Sequence, residues 1–162
     1  MTHDYQRQDS QLTLREGLEE YHASFADLVD ESDLAGTARE LFHNHDICHV
    51  VFGCDTSLRH EVLVDVWTMF ATDVGVGAYL DYLRVPEATG IIVETGIAKT
   101  LWESLRALPD VIRVIARSRR MRRRWSWDDH DALLGRPLAE IRRERGIAVL
   151  EQERAAQPRS ES

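Results

Sequence analysis

His45-Asp46-Ile47-Cys48-His49-Val50-Val51-Phe52-Gly53-Cys54-Asp55-Thr56-Ser57-Leu58-Arg59-His60-Glu61 is the stretch that decides how this chain is read. Two histidines four positions apart lie about 40° from each other around a helix axis, and Asp46 lies about 100° from His45 on the same side. One helical face therefore carries two imidazoles and a carboxylate. Ala38, Leu41, Phe42 and Phe52 share that face, so periodicity places the histidines in a buried stripe, where polar groups need partners. Gly53 suits the left-handed position that ends a helix, and Asp55, Thr56 and Ser57 are each competent N-caps for the next one. The expected unit is a helix hairpin that returns Glu61 to the neighbourhood of His49.

Two neutral imidazoles with one or two carboxylates suit Zn²⁺, Fe²⁺ or Mn²⁺. The spacing does not choose among these ions, nor between ligation and plainer roles. A histidine on an apolar face is often a hydrogen-bonded core residue, and Glu61 shares a stripe with Asp65, Thr68 and Thr72 that reads equally as a solvated face. Cys48 borders the histidines as a soft ligand or a small buried thiol. His43 points away and is expected at the surface.

From Arg39 to Glu61 the pattern His-Asp-x-x-His, eleven residues, then Glu resembles the metal-binding motif of the coenzyme Q biosynthesis protein 4 family. Arg136-Pro137-Leu138-Ala139-Glu140-Ile141-Arg142, closing at Gly146-Ile147, is similar to that family's proline-started terminal helix. His60 departs from the pattern, since the family carries glycine before its glutamate. The resemblance implies a divalent metal, zinc or iron, at His45, Asp46, His49 and Glu61, with Asp46 either ligating or orienting a histidine. It also implies work in ubiquinone biosynthesis: loss of the ring carboxylate at carbon 1 of a polyprenylated hydroxybenzoate and its replacement by hydroxyl. Zinc would permit Lewis-acid work alone, whereas oxygen activation needs iron or another redox metal. The implied partner is a prenylated quinone precursor or other isoprenoid lipid, met by a homo-oligomer or within a biosynthetic complex. Two other classes stay open. One is a non-catalytic lipid-binding scaffold of such a complex. The other is an HD-type metal phosphohydrolase, with His45-Asp46 as the H-D pair and His22 and Asp65 as its distant partners.

The remaining sequence fits an all-α, single-domain helical bundle over residues 1–150, with 151–162 as a disordered tail. The 162 residues make one domain by size, and no alternating strand runs occur. Leu14, Leu18, Tyr21, Phe25 and Leu28 recur at helical spacing, and Thr37 to Glu40 reads as a capping box for the histidine helix. The Glu61 helix is expected to turn Leu63, Val66, Trp67, Phe70 and Val74 inward, before a further helix over 78–84. Pro86, Gly90, Gly96 and Pro109 then separate short helices around 87–108. An Asp128-capped helix ending at Gly135 and a last helix begun by Pro137 follow. Two cysteines without C-x-x-C spacing and no signal-like segment after Met1 lead to the expectation of a cytoplasmic protein, peripheral at most to the inner face of a membrane.

Charge is divided along the chain. Residues 1–80 carry fifteen acidic and four basic side chains, a net −11, and residues 81–162 carry thirteen and sixteen, a net +3. Arg113, Arg117, Arg120 and Arg124 fall on one helical row beside an apolar seam of Val111, Val114, Met121 and Trp125. Such a row suits an anionic bilayer or the phosphate or carboxylate of a lipid-like ligand, or else a solvated face against the acidic half. Nucleic acid is not expected, because the chain is acidic overall and holds no reading module.

Overall fold

The structure, a computed structural model, describes residues 3–25, 36–77, 79, 97–128 and 130–150, with backbone alone for 37, 38 and 97–105. The fold is all-α. Among the described residues five helices run in order: α1 (Leu14–Ser24), α2 (Thr37–Phe52), α3 (Leu58–Ala71), α4 (Ile97–Ser118) and α5 (Leu138–Arg145). Single 3₁₀ turns form at Asp4–Gln6 and Asp131–Leu133, and no strand occurs among the described residues beyond the isolated bridges Thr13–Pro137 and Thr72–Trp125.

Local chemistry explains the helix ends. Thr13 and Glu16 form a reciprocal capping box at α1, the Thr13 hydroxyl accepting from Glu16 N at 3.2 Å and Glu16 Oε2 accepting from Thr13 N at 2.8 Å. The first amides of α1 and α5 are further satisfied by each other's lead-in segments. Leu14 and Arg15 donate to the carbonyls of Arg136 and Leu134, each at 2.9 Å, while Leu138 and Ala139 donate to those of Leu12 and Ser10 at 2.8 and 2.9 Å. α2 stops at Gly53, whose φ of 70° is open to glycine; Cys54 N reaches back to the His49 carbonyl at 2.8 Å and Gly53 N to that of Val50 at 3.3 Å.

The core forms where these helices meet. Phe52 at the end of α2 stacks on Trp67 of α3, ring centroids 4.7 Å apart and nearly parallel. Tyr5, Tyr21, Trp125, Leu138 and Ile141 fill the remaining interior, each fully buried or nearly so. α3 lies between α2 and α4, and Arg59 of α3 pairs with Asp110 of α4. This packing holds the two halves of the histidine hairpin together.

Several sequence expectations change. Phe70 is exposed, because the buried side of α3 runs through His60, Leu63, Val64, Trp67, Thr68 and Ala71. Thr37 does not cap α2: Gly36 takes that position, and no side chain caps it. Instead of breaking at Pro109, α4 continues through it to Ser118; Pro109 stands on the exposed side, where the lost hydrogen bond costs least. The Asp128-capped helix is only the 3₁₀ turn at Asp131–Leu133, since the Leu134 and Arg136 carbonyls are committed to α1. Apart from Tyr79, the expected helix over 78–84 lies outside the described residues, as do the stretch 87–96, Leu28 and the tail at 151–162.

Candidate metal centre

The i, i+4 spacing on α2 brings His45 Nε2 and His49 Nε2 to 3.2 Å from each other. The Gly53 turn and the Ser57 start of α3 then bring in Glu61, with Oε2 at 3.5 Å from His45 Nε2 and Oε1 at 3.5 Å from His49 Nε2. Ligand atoms of these three residues all lie within 4.8 Å of one another, so the cluster can hold a metal ion. Zinc–nitrogen bonds of about 2.0–2.1 Å place two ligand atoms of a tetrahedral site roughly 3.3 Å apart, close to the separations of 3.2 and 3.5 Å here. The histidines form the dry side: the side chains of His49, His45 and Glu61 are 1 %, 18 % and 39 % exposed.

Neighbouring rings and polar groups fix each ligand. Tyr21 of α1 stacks on His49 with centroids 5.1 Å apart, and His49 Nδ1 is buried without a hydrogen-bond partner. His45 Nδ1 lies 3.2 Å from the Tyr79 hydroxyl, which donates to Asp65 Oδ1 at 2.7 Å. Burial, then the charge of His49, pushes His45 down to about 4, so this ring stays neutral. For His49 burial acts in the same sense, but the Glu61 hydrogen bond and charge outweigh it and raise its value. Burial also acts against ionisation of Glu61, and the two histidines overcome it, keeping the carboxylate ionised. The cluster thus attracts one positive charge between Glu61 and the two Nε2 atoms.

Asp46 is not in this trio. Its carboxylate is turned to His22 of α1, with Oδ2 2.9 Å from His22 Nε2. His60 is committed to the turn: Nδ1 accepts from the Asp55 amide at 3.0 Å and lies 3.1 Å from Asp55 Oδ1. Burial pushes the Cys48 thiol up to about 12, so it remains a protonated core residue. His43 is half-buried rather than at the surface, its ring 5.8 Å from that of His130. Thr68 and Thr72 are fully buried and Asp65 faces Tyr79, so the Glu61 stripe is not a solvated face. Asp65 stands at i+4 from Glu61, a spacing visible in the sequence. Tyr79 is 34 residues from His45 and carries no local signal.

The arginines do not form a single helical row, because α4 ends at Ser118. Beyond it the Arg122 amide pairs with the Arg145 carbonyl at 2.8 Å, and buried Trp125 donates to the Ala71 carbonyl at 2.8 Å, drawing residues 119–124 off the helix path. Arg113 meets Asp110 at 2.8 Å, Arg117 donates to the Ala148 and Val149 carbonyls at 2.9 and 2.7 Å, and Arg124 reaches the Thr72 carbonyl at 3.4 Å. Arg119, Arg120, Arg122 and Arg123, beyond the end of α4, are exposed, as are Leu108 and Ile112 on α4. Among the described residues no helix is long and apolar enough to cross a membrane.

In comparisons with known proteins, no family model, curated protein or solved structure matches the chain. The resemblance to the coenzyme Q biosynthesis protein 4 family therefore rests on the motif residues themselves.

Proposed function

We infer that this is a metal-dependent protein of quinone biosynthesis, acting at ring carbon 1 of a polyprenylated hydroxybenzoate. The observation that supports the reading is the convergence of His45, His49 and Glu61, three residues of the H-D-x-x-H and Glu pattern. The reaction exchanges a carboxylate for hydroxyl and releases carbon dioxide, a two-electron oxidation of the ring. Dioxygen is the oxidant; one molecule serves two substrates unless a reductant supplies the other two electrons. His45, His49 and Glu61 would hold the ion, and the chemistry it supplies when bound is withdrawal of charge from the ring as the carboxylate leaves. Zinc or iron satisfies the donor set, and iron is the version of the proposal that accounts for oxygen use. The exposed arginines with Leu108 and Ile112 suit the anionic surface of a bilayer, the place from which a prenylated substrate is drawn.

Purified protein loaded with ferrous iron, given oxygen and a prenylated hydroxybenzoate labelled at its carboxyl carbon, is expected to release labelled carbon dioxide. His49→Ala is expected to abolish the release. A fully active His49→Ala protein would exclude metal catalysis at this site. Wild type that binds the prenylated compound and releases nothing would make the chain a lipid-binding scaffold.

A further inference from the structure

An imidazole ligates a metal only through a nitrogen without a proton, and in a neutral ring the other nitrogen carries it. Nε2 of His45 faces the other two members of the trio, His49 Nε2 at 3.2 Å and Glu61 Oε2 at 3.5 Å, so the partner from outside the trio that can fix the ring is the one at Nδ1. The partner is the Tyr79 hydroxyl at 3.2 Å, and a phenol has one proton to give. The Tyr79 proton goes to Asp65 Oδ1, at the shorter distance of 2.7 Å. Its oxygen is then left to accept, and the group facing it must be an N–H. Trp127, edge-on to Tyr79 with centroids 5.8 Å apart, packs beside the ring, and Tyr79 is itself fully buried.

We propose that Tyr79 and Asp65 are positioning residues that hold His45 as its Nδ1–H tautomer and so present a bare Nε2 to the ion. The inference rests on the metal-binding part of the proposed function and not on the quinone chemistry. Asp65 suits its role: burial pushes its carboxyl up to about 6, against the Tyr79 hydrogen bond, which leaves it ionised and accepting at pH 7.5. His49 has no counterpart, since its Nδ1 lacks any partner. The two ligands of one helix are thus unequal: one is held by a hydrogen-bond chain, the other by the stacked ring of Tyr21.

The test uses the full chain labelled with ¹⁵N at histidine, at pH 7.5. Long-range nitrogen–proton correlation of the metal-free protein reads the tautomer, and competition with a chelator reads Zn²⁺ affinity. Wild type is expected to show His45 with the proton on Nδ1. Tyr79→Phe, which keeps the ring and loses the hydroxyl, is expected to move population to the Nε2–H form and to weaken Zn²⁺ binding about 10- to 100-fold. Asp65→Leu tests the same chain with the phenol intact. Leucine offers no acceptor, so the phenol proton turns to His45 Nδ1, and the same tautomer change and loss are expected. His45 found with its proton on Nε2 in wild type overturns the proposal, as does either folded variant with unchanged tautomer or with Zn²⁺ affinity within about threefold of wild type. Because the tautomer is read without metal, a wild type that binds no Zn²⁺ refutes the metal reading while the positioning of His45 is still decided.

Discussion

Arg142 is the side chain whose loss should cost this fold most for its size. It is fully buried, and its guanidinium donates to four backbone carbonyls: Nε to Val51 at 2.9 Å, Nη2 to Val50 at 2.7 Å and Tyr5 at 2.6 Å, and Nη1 to Arg7. Val50 and Val51 lie in the last turn of α2, where carbonyls run out of helical donors, one and two residues beyond His49. Arg142 thereby ties the end of the histidine helix to α5 and to the 3₁₀ turn before α1. Burial pushes its pKa down to about 10, which still leaves it charged at neutral pH. Arg142→Met keeps the stem and removes every donor. Each bond made by a charged donor is worth about 1.5–3 kcal/mol, but desolvation of the guanidinium offsets much of that sum. The expected net loss is about 3–5 kcal/mol, because four buried carbonyls lose their donor at about 1–3 kcal/mol each while the desolvation cost of the guanidinium is recovered. At roughly 2–4 °C per kcal/mol for a chain of this size, the melting temperature should fall by roughly 6–20 °C. Urea denaturation and thermal melts measure both, with Arg143→Met, an exposed neighbour, as the control expected within about 0.5 kcal/mol of wild type. An Arg142→Met protein within about 1 kcal/mol of wild type would refute the argument, because the four carbonyls would then be as well served by water.

The remaining predictions use the same reasoning. His45→Ala, His49→Ala and Glu61→Ala should each lower bound zinc severalfold after equilibrium dialysis, whereas Asp46→Ala, whose carboxylate faces His22, should keep it; equal loss in all four would return Asp46 to the ligand set. Gly53→Ala should destabilise by at least about 1–2 kcal/mol in chemical denaturation, since an L side chain at positive φ is strained. Its β-carbon would also stand 3.1 Å from both the Gln6 carbonyl oxygen and Val149 Cγ1. Burial favours protonation of Asp110, but Arg59 and Arg113 outweigh it and hold the carboxyl below its usual range. A depressed folded value means stability present above the unfolded value of about 3.9 and lost as pH falls through the folded one. Asp110→Asn should therefore lower the urea midpoint at pH 5 and lose less between pH 5 and pH 3 than wild type does; parallel acid profiles would contradict the ion pair's role.

What was legible in the sequence was whatever a helix encodes within one turn. The His45–His49 pair, the Gly53 stop, the start of α3 before Glu61 and the Pro137–Gly146 limits of α5 all follow from local spacing or backbone preference, and each stands in the structure. Features set by tertiary contact were not legible. Periodicity continued the arginine row past Ser118 because nothing in residues 119–124 breaks a helix; the breaking groups are the Arg145 and Ala71 carbonyls, far along the chain. Phe70 reads as core by type, yet the burial of α3 is decided by α2 and α4 on its other sides, and its polar positions His60 and Thr68 go inward instead. The site divides in the same way. Its ligands come from one hairpin and can be read along the chain, whereas the groups that orient them do not: Tyr21 from α1, Tyr79 beyond α3 and Arg142 from α5 each arrive from a different element. His60 is the instructive residue among these. It stands beside Glu61 where the pattern has glycine, but residues adjacent on a helix point about 100° apart, so the turn that directs Glu61 to the histidines directs His60 elsewhere. It caps the Asp55 amide and steadies the turn that delivers Glu61. A bulky residue in the glycine position of the motif is thus compatible with the ligand geometry, because it serves the turn and not the ion.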